Sequence, residues 1–395
     1  MSRPRAETAA GPRPPEPQAL ALLDFCKGAA ILGIVGVHVR PGWFGWQGVH
    51  VFLVLGGFLL AYGRRQRGAQ PWPAWFRRRA RRVLPAYWAV ALAGVAVVGA
   101  VGAAGLGLEG VTLRRSLARL PADVFLLRNW SYRGMFGYPN ASLWYVPLLA
   151  GLYLAFPLLV GAARRVGWRA MVVGAVVAEV AYRAAAVAWL DGVPVGYGHG
   201  IVGDVVRPPV ALDRLGADVP FQLWAPFGLF LSRVGEFALG VGAAYAWAER
   251  PERLDRWTRG AAPALLGLAL WAGGSLLVGV RWGWAVADLG IAAGGVLVLL
   301  AAARAARRRA RPVFRVLSRA GALSLPLFLV HLPVMYVTAA TAPLWGRAVW
   351  STAAAVGLTL AALWAASAAL LAFDRSRAAD AVARVAIDPF IPLAR

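Results

Sequence analysis

Ten long apolar runs dominate this sequence and restrict its fold more than any other feature. They cover roughly residues 21–39, 48–63, 83–104, 143–162, 169–190, 227–247, 261–280, 283–303, 322–341 and 347–373. About 20 apolar residues in helical form span the core of a bilayer, and a helix satisfies its own backbone hydrogen bonds there. The sequence therefore predicts an all-α fold, a polytopic membrane bundle of about ten transmembrane helices over residues 20–373.

Both ends of the chain lack apolar runs and are basic. Residues 1–19 are rich in Pro and Arg, which predicts a disordered tail, and residues 374–395 form a C-terminal tail. About 29 of the 42 basic residues lie in the tails and in alternate connections, namely 3–13, 64–82, 164–169, 250–259, 304–319 and 375–395. This alternation follows the positive-inside rule, which places both termini in the cytoplasm.

The net charge of +24 is therefore interpreted as a signal of topology. No motif that reads nucleic acid accompanies it, so we expect membrane lipid as a partner and no nucleic acid. The composition is rich in Ala, Arg and Gly and almost without Lys, which is typical of a GC-rich bacterial genome. We therefore expect a multi-pass protein of the bacterial plasma membrane.

The first apolar run carries ionisable residues on one face. Lys27 and His38 are eleven residues apart, about three helical turns or 16 Å, and Asp24 precedes Lys27 by one turn. Ionisable groups are costly in hydrocarbon, so this stripe must face protein, ligand or water. We expect Asp24 to pair with Lys27, because an unpaired charge there would be costly. The single cysteine, Cys26, is interpreted as a buried small hydrophobe.

Two other regions allow a structural and a functional interpretation. The basic cluster after the second run is either a lipid-headgroup anchor or a phosphate site of a cosubstrate; it contains Arg77, Arg78, Arg79, Arg81 and Arg82. The connections at about 105–142 and 191–226 are rich in aromatic residues, Asn and Asp, which suit a carbohydrate or a membrane interface; they include Asn129, Trp130, Tyr132, Tyr138, Asn140, Asp191, Tyr197, His199, Asp204 and Asp213. The four histidines lack metal-ligand spacing, so we expect no metal site.

Six motifs occur in a fixed order along the chain. They are Leu23-Asp24-Phe25-Cys26-Lys27-Gly28 with His38, Gly48 to Phe58, Arg79 with Arg82, Val83 and Pro85, Leu143-Trp144-Tyr145 with Tyr153 to Pro157, Arg233 to Gly240, and Ser324 to His331. Together they resemble the acyltransferase 3 family of integral-membrane O-acyltransferases. The chain departs from the family pattern at Lys27 in place of Arg, His50 in place of an acidic residue, Gly56 in place of Ser, and Leu149-Ala150 in place of a Glu pair.

The resemblance implies transfer of an acyl group, acetyl in the simplest case, from acyl-CoA to a hydroxyl group of a carbohydrate or glycosylated natural product. It implies no permanently bound cofactor. Histidine has the unperturbed pKa that a general base needs at neutral pH. We therefore assign His38 as general base or transient acyl acceptor, with Lys27 and Asp24 as further catalytic residues on the same face of the helix, against the alternative of a structural histidine. Donor phosphates are assigned to Lys27 together with Arg79 and Arg82.

Two later motifs carry less certain roles. Arg233 and Glu236 are assigned either to donor binding or to an ion pair, since they lie three residues apart on one helix. His331 is interpreted as a satisfied core histidine. The alternatives to the enzyme are a transporter or flippase for a glycan or metabolite, which usually shows repeated halves, and an inactive member of the family.

Overall fold

The computed structural model describes residues 17–39, 44–68, 70–107, 111–130, 140–190, 228–278, 280, 282–345 and 353–391. Within these ranges every regular element is helical. The α-helices are α1 (Pro17–Val39), α2 (Gly48–Gln66), α3 (Trp72–Ala103), α4 (Leu113–Val124), α5 (Tyr145–Arg165), α6 (Trp168–Leu190), α7 (Val234–Glu249), α8 (Pro251–Trp257), α9 (Ala261–Leu277), α10 (Trp284–Arg309), α11 (Arg311–Ala322), α12 (Ser324–Trp345), α13 (Ala353–Asp374) and α14 (Arg377–Ala386).

The described helices confirm an all-α, polytopic membrane bundle. Eight of them are long and apolar enough to cross a bilayer, and α8 with α9, bent by 71°, would make a ninth span. The remaining apolar run of the sequence corresponds to α7, whose 16 residues are too few for this count. The orientation of the termini stays a prediction, as does the disordered N-terminal tail, of which residues 1–16 lie outside the described ranges.

Close backbone contact fixes α2 against α7. A Cβ atom on Gly57 would meet the carbonyl oxygen of Phe237, and one on Gly240 would meet the carbonyl oxygen of Val54. Small residues allow this approach between helices in lipid, where van der Waals packing drives association. The contact aligns the two helices, so the first turns of α2 and α7 lie side by side.

A second close contact brings α12 to α1. The short helix α11 packs on α1, where Gly28 and Gly321 remove the side chains that would separate the two backbones. Helix α12 begins two residues after α11 ends and continues along α1. Its first half therefore reaches the end of α1 that carries His38. Cys26 is fully buried in the cluster beneath this contact, as its interpretation as a hydrophobe predicted.

The C-terminal tail contains a helix that is attached to the bundle. Helix α14 lies against α3, and the carboxylate of Asp388 accepts hydrogen bonds from Arg77 at 2.7 and 2.8 Å and from Arg81 at 2.8 and 2.9 Å. Two arginines of the basic cluster are thus neutralised by the tail. The residues of the cluster do not form one uniform surface.

Candidate functional site

Two histidines from different helices meet at one end of the bundle. The ring centroids of His38 on α1 and His331 on α12 are 5.0 Å apart, in an edge-to-face arrangement. His331 is fully buried, whereas His38 keeps an exposed edge. His38 therefore forms the accessible side of the pair, and His331 forms its buried side.

The hydrogen bonds of these rings define which nitrogen is basic. In His38 the Nδ1 atom lies 2.7 Å from the carbonyl oxygen of Ile34, and in His331 it lies 2.7 Å from that of Phe328. A carbonyl oxygen only accepts, so Nδ1 carries the proton in each neutral ring and Nε2 carries the lone pair. Among the described residues, the buried Nε2 of His331 has no hydrogen-bond partner. The pair therefore presents proton acceptors at one place.

The other two residues of the predicted stripe lie farther along α1. Lys27 and Asp24 form an ion pair with 2.6 Å between Nζ and Oδ1, and both side chains are partly exposed. Eleven residues of helix separate Lys27 from His38, about 16 Å along the axis. The predicted pairing is confirmed, but the structure does not bring Asp24 or Lys27 into contact with His38.

The predicted donor-binding arginines have two different surroundings. The guanidinium of Arg79 lies 5.7 Å from the ring centroid of Trp75, and its Nε atom is buried. Arg82 is exposed. Arg77 and Arg81 are bound to Asp388, and Arg78 donates a hydrogen bond to Gln70. Arg79 and Arg82 are therefore the remaining members of the cluster that can face a ligand.

Arg233 and Glu236 belong to a different part of the molecule, a set of six buried ionisable residues that we call the buried charge network. Its members are His50, Glu179, Arg183, Arg233, Glu236 and Asp288, from α2, α6, α7, α10 and the turn before α7. Arg233 lies 2.9 Å from Glu236 and 2.5 Å from Asp288, and Arg183 lies 2.6 Å from Asp288. The predicted pair of Arg233 and Glu236 thus forms, and the structure does not place it with Arg79 and Arg82.

The network also fixes the backbone at the start of α7. One oxygen of Glu179 accepts hydrogen bonds from the amides of Gly235 at 2.8 Å and of Glu236 at 3.2 Å. These amides belong to the first turn of a helix, where N–H groups have no intrahelical partner. A buried carboxylate is stabilised in the same place by the positive end of the helix dipole. The network therefore holds four helices in register.

Three members of the network could form a metal site by residue type. One ligand atom each of His50, Glu236 and Asp288 lies within 4.8 Å of the others. The Nη1 atom of Arg233, however, lies 3.1 Å from His50 Nδ1, 2.9 Å from Glu236 and 2.5 Å from Asp288. The guanidinium thus occupies the position from which a cation would bind all three. We interpret the group as an ion-pair network.

Tyr145 lies between the histidine pair and the network. Its ring centroid is 5.0 Å from that of Phe328, which is 5.7 Å from that of His331. Tyr145 also packs against Phe52 of α2, the helix that carries His50, with 6.4 Å between the ring centroids. The histidine pair and the network therefore share one end of the bundle.

Several residues of this site were not predicted from the sequence. His331 was expected to be a satisfied core histidine, but its Nε2 is unpaired among the described residues and its ring contacts His38. Glu179, Arg183 and Asp288 were not singled out. A signal for these three was present, because an ionisable residue inside an apolar run is costly and marks a site by default.

The predicted outer aromatic and amide residues are only partly described. Asn129 donates to the carbonyl oxygens of Trp144 and Gly228, at 2.8 and 2.7 Å, and Asn140 donates to that of Leu329 at 2.7 Å. Both side chains are buried and join connections to the bundle. Tyr132, Tyr138 and all of 191–226, for which the sequence left a carbohydrate site and a membrane interface open, lie outside the described residues.

The sequence matches one known protein family. A family model described as an acyltransferase domain matches residues 20–368, nearly the whole chain. No curated protein and no solved structure gives a significant match.

Proposed function

The chain belongs to the acyltransferase family whose domain model covers residues 20–368, and on this basis we propose that it is a membrane O-acyltransferase. The proposed donor is an acyl-CoA, acetyl-CoA in the simplest case. The proposed acceptor is a hydroxyl group of a carbohydrate or glycosylated natural product, and the proposed location is the bacterial plasma membrane. The distribution of basic residues and the composition support the location.

The observation that carries this proposal is the state of His38. Its Nδ1–H donates to the carbonyl oxygen of Ile34, so Nε2 is the proton acceptor, and the ring has an exposed edge. A hydroxyl group is a weak nucleophile and needs its proton removed as it attacks a thioester. A positioned histidine of this kind supplies typically about 10²–10⁴-fold in rate.

The proposed reaction follows from these groups. Nε2 of His38 takes the proton of the acceptor hydroxyl while its oxygen forms a bond to the thioester carbonyl carbon. The carbon–sulfur bond then breaks, and the thiolate of coenzyme A leaves and takes the proton from the imidazolium. His331 positions the ring of His38 through their edge contact at 5.0 Å. Arg79 and Arg82 are proposed to bind donor phosphates, for which guanidinium forks are well suited.

The test is acyl transfer by membranes that contain the full-length protein. Labelled acetyl-CoA is supplied together with extracted envelope glycans and glycosylated metabolites, and label in the acceptor fraction is measured. We expect label with the native protein and none above background with His38→Ala. Movement of an acceptor across the membrane without covalent change would contradict the proposal and favour a transporter. Correctly inserted protein that transfers no label with any donor would indicate an inactive member of the family.

A further inference from the structure

A basic cavity lies at the opposite end of α2 from the buried charge network. Its volume is about 260 Å³, and the residues around it include Arg64 and Arg65 of α2, Arg164 of α5 and Tyr245 of α7. Fourteen residues of helix separate His50 from Arg64, about 21 Å along the axis. The positive-inside pattern predicts that this end of the bundle is cytoplasmic.

The charge of this cavity is not compensated by its lining. The seven lining residues include three arginines and no carboxylate, the others being Ala61, Gly68, Val160 and Tyr245. The Nε and Nη1 atoms of Arg64 are buried and, in the part of the chain that the structure describes, make no hydrogen bond. Buried polar groups are otherwise nearly always paired, and an unmatched charge is more costly still. An anion in the cavity would accept hydrogen bonds from these N–H groups and would balance the positive charge.

Aromatic rings hold two of these guanidinium groups. Arg64 lies over the ring of Trp72 with 3.7 Å between Cζ and the centroid, and Arg65 lies over Tyr245 at 4.7 Å. A guanidinium stacked on an aromatic face keeps its N–H groups available for hydrogen bonds, because they point outward in the plane of the guanidinium itself. Because the planes are fixed before a ligand arrives, less side-chain freedom is lost on binding.

We propose that this cavity binds a phosphate group. Guanidinium groups form short, paired hydrogen bonds with phosphate oxygens, and several of them at one site match its multiple charge. The volume is just below the roughly 300–1,000 Å³ typical of pockets for whole drug-sized molecules. The cavity accommodates a phosphate group with its adjacent substituent. Such a phosphate occurs both in the nucleotide part of an acyl-CoA and in the headgroup of an anionic phospholipid.

The nucleotide source would connect this cavity with the proposed reaction, and this extension rests on the proposed function. Trp72 contacts Trp75, with 5.7 Å between ring centroids, and Arg79 lies over Trp75. Arg64 and Arg79 therefore stand on one aromatic surface formed by Trp72 and Trp75. A donor with two separate phosphate positions could use Arg64 and Arg164 for one and Arg79 for the other.

The experiment measures binding by the full-length protein in phosphatidylcholine nanodiscs. One arm titrates adenosine 3′,5′-bisphosphate calorimetrically, and the other measures retention of a fluorescent phosphatidylglycerol. The variants are Arg64→Gln, Arg64→Lys and Arg164→Gln. Arg250→Gln is the control, because it removes one exposed positive charge at the same end of α7 and does not line the cavity.

We expect Arg64→Gln and Arg164→Gln to weaken the binding of one of the two probes by about tenfold or more, because each loses a charge-assisted hydrogen bond. The affinity of Arg250→Gln should stay near the native value. Arg64→Lys, which keeps the charge, should fold like the native protein and retain part of the affinity. The arm that responds identifies the nucleotide or the lipid as the source. If Arg164→Gln and Arg64→Lys bind both probes like Arg250→Gln, the inference is wrong. Acyl transfer is measured separately, so an active enzyme without this dependence contradicts this inference alone.

Discussion

At the scale of single residues, His38 and His50 show how the bundle uses the same side chain in two ways. His50 is buried with Nδ1 2.9 Å from a carboxylate oxygen of Glu236 and 3.1 Å from the guanidinium of Arg233. In His38, Nδ1 donates to the backbone carbonyl oxygen of Ile34, and the ring keeps an exposed edge. An imidazole held between charged groups joins helices, whereas one with a basic nitrogen at a surface can accept a proton from a ligand.

Breaking the buried charge network should destabilise the whole protein. Replacing Arg233 by Met removes one of the two guanidinium groups that pair with Glu236 and Asp288, and it leaves an excess of buried negative charge. Loss of one partner of a buried ion pair typically costs about 3–5 kcal/mol. Thermal unfolding of purified protein in detergent measures the change.

The matched control is Arg259→Met, which removes an arginine that pairs with Asp255 and whose own side chain is 67% exposed. Such surface pairs contribute about 0–1 kcal/mol, so this variant should unfold close to the native temperature. Equal unfolding temperatures for the two variants would contradict the stabilising role of the network.

A contact between two of these residues could be predicted from sequence only when the two partners lie close together along the chain. The pair of Asp24 and Lys27 and that of Arg233 and Glu236 could be predicted, because side chains three residues apart on a helix are neighbours. His331 could not be placed against His38, because that contact requires knowing which face of α12 packs on α1. The same reason explains why the partners of His50 were missed, since the network joins side chains from several helices.

At the scale of elements, α2 and α7 form the frame that joins the two ends of the bundle. Gly57 and Gly240 let their backbones touch, which sets His50 beside Glu236 at one end and Arg65 beside Tyr245 at the other. The Gly56-Gly57 pair indicated close packing from sequence alone. Which of the two glycines faces the neighbouring helix could not be predicted.

Two adjacent glycines of α2 should respond oppositely to the same substitution. A Cβ atom at Gly57 would collide with the backbone of α7, whereas Gly56 has open space around it. Overpacking costs roughly 1–3 kcal/mol, so Gly57→Ala should lower the unfolding temperature. Gly56→Ala should be neutral or stabilising by up to about 1 kcal/mol, because Ala has the higher helix propensity. Similar behaviour of both variants would contradict the described contact of α2 with α7.

The attachment of α14 should depend on pH. Hydrogen bonds from Arg81 and then Arg77 lower the pKa of the Asp388 carboxyl below its ordinary value. The attachment is therefore fully stabilised above the ordinary pKa of about 4 and weakens as pH falls through the lowered pKa. The protection factors of the amides in residues 377–391, which correct hydrogen exchange for the intrinsic effect of pH, should fall in acid and, for Asp388→Asn, already at neutral pH.

The control for this prediction is Arg384→Gln, which removes a more exposed pair with Asp380 and should leave exchange nearly unchanged. Exchange that is the same for Asp388→Asn and the native protein would show that these hydrogen bonds do not hold α14.

At the scale of the whole molecule, hydrophobic length alone predicted the fold class and most of the spans. Hydropathy could not detect that α7 is only 16 residues long or that α8 and α9 meet at 71°, because both features depend on helix packing and not on apolar content. Nor could it locate the site, since the end of the bundle with the histidine pair is assembled from α1, α2, α5, α6, α7, α10 and α12.

The predicted orientation can be measured with single cysteines. The one native cysteine, Cys26, is fully buried and is replaced by Ala for this purpose. If both termini are cytoplasmic, an impermeant maleimide should label Ala104→Cys on intact cells and Ala378→Cys only after permeabilisation. Both positions are exposed in the folded protein. The reverse pattern would contradict the orientation inferred from the basic residues.

The measurement that tests the central claim most directly compares the turnover rates of His38→Gln and Leu32→Ala in acyl transfer. Glutamine approximates the size of histidine without its basic nitrogen, and Leu32 is a partly exposed residue of the same helix. With equal amounts of folded protein, kcat of His38→Gln should fall by about 10²–10⁴-fold and that of Leu32→Ala should stay near native. A His38→Gln protein that keeps most of its turnover would show that His38 is not the base.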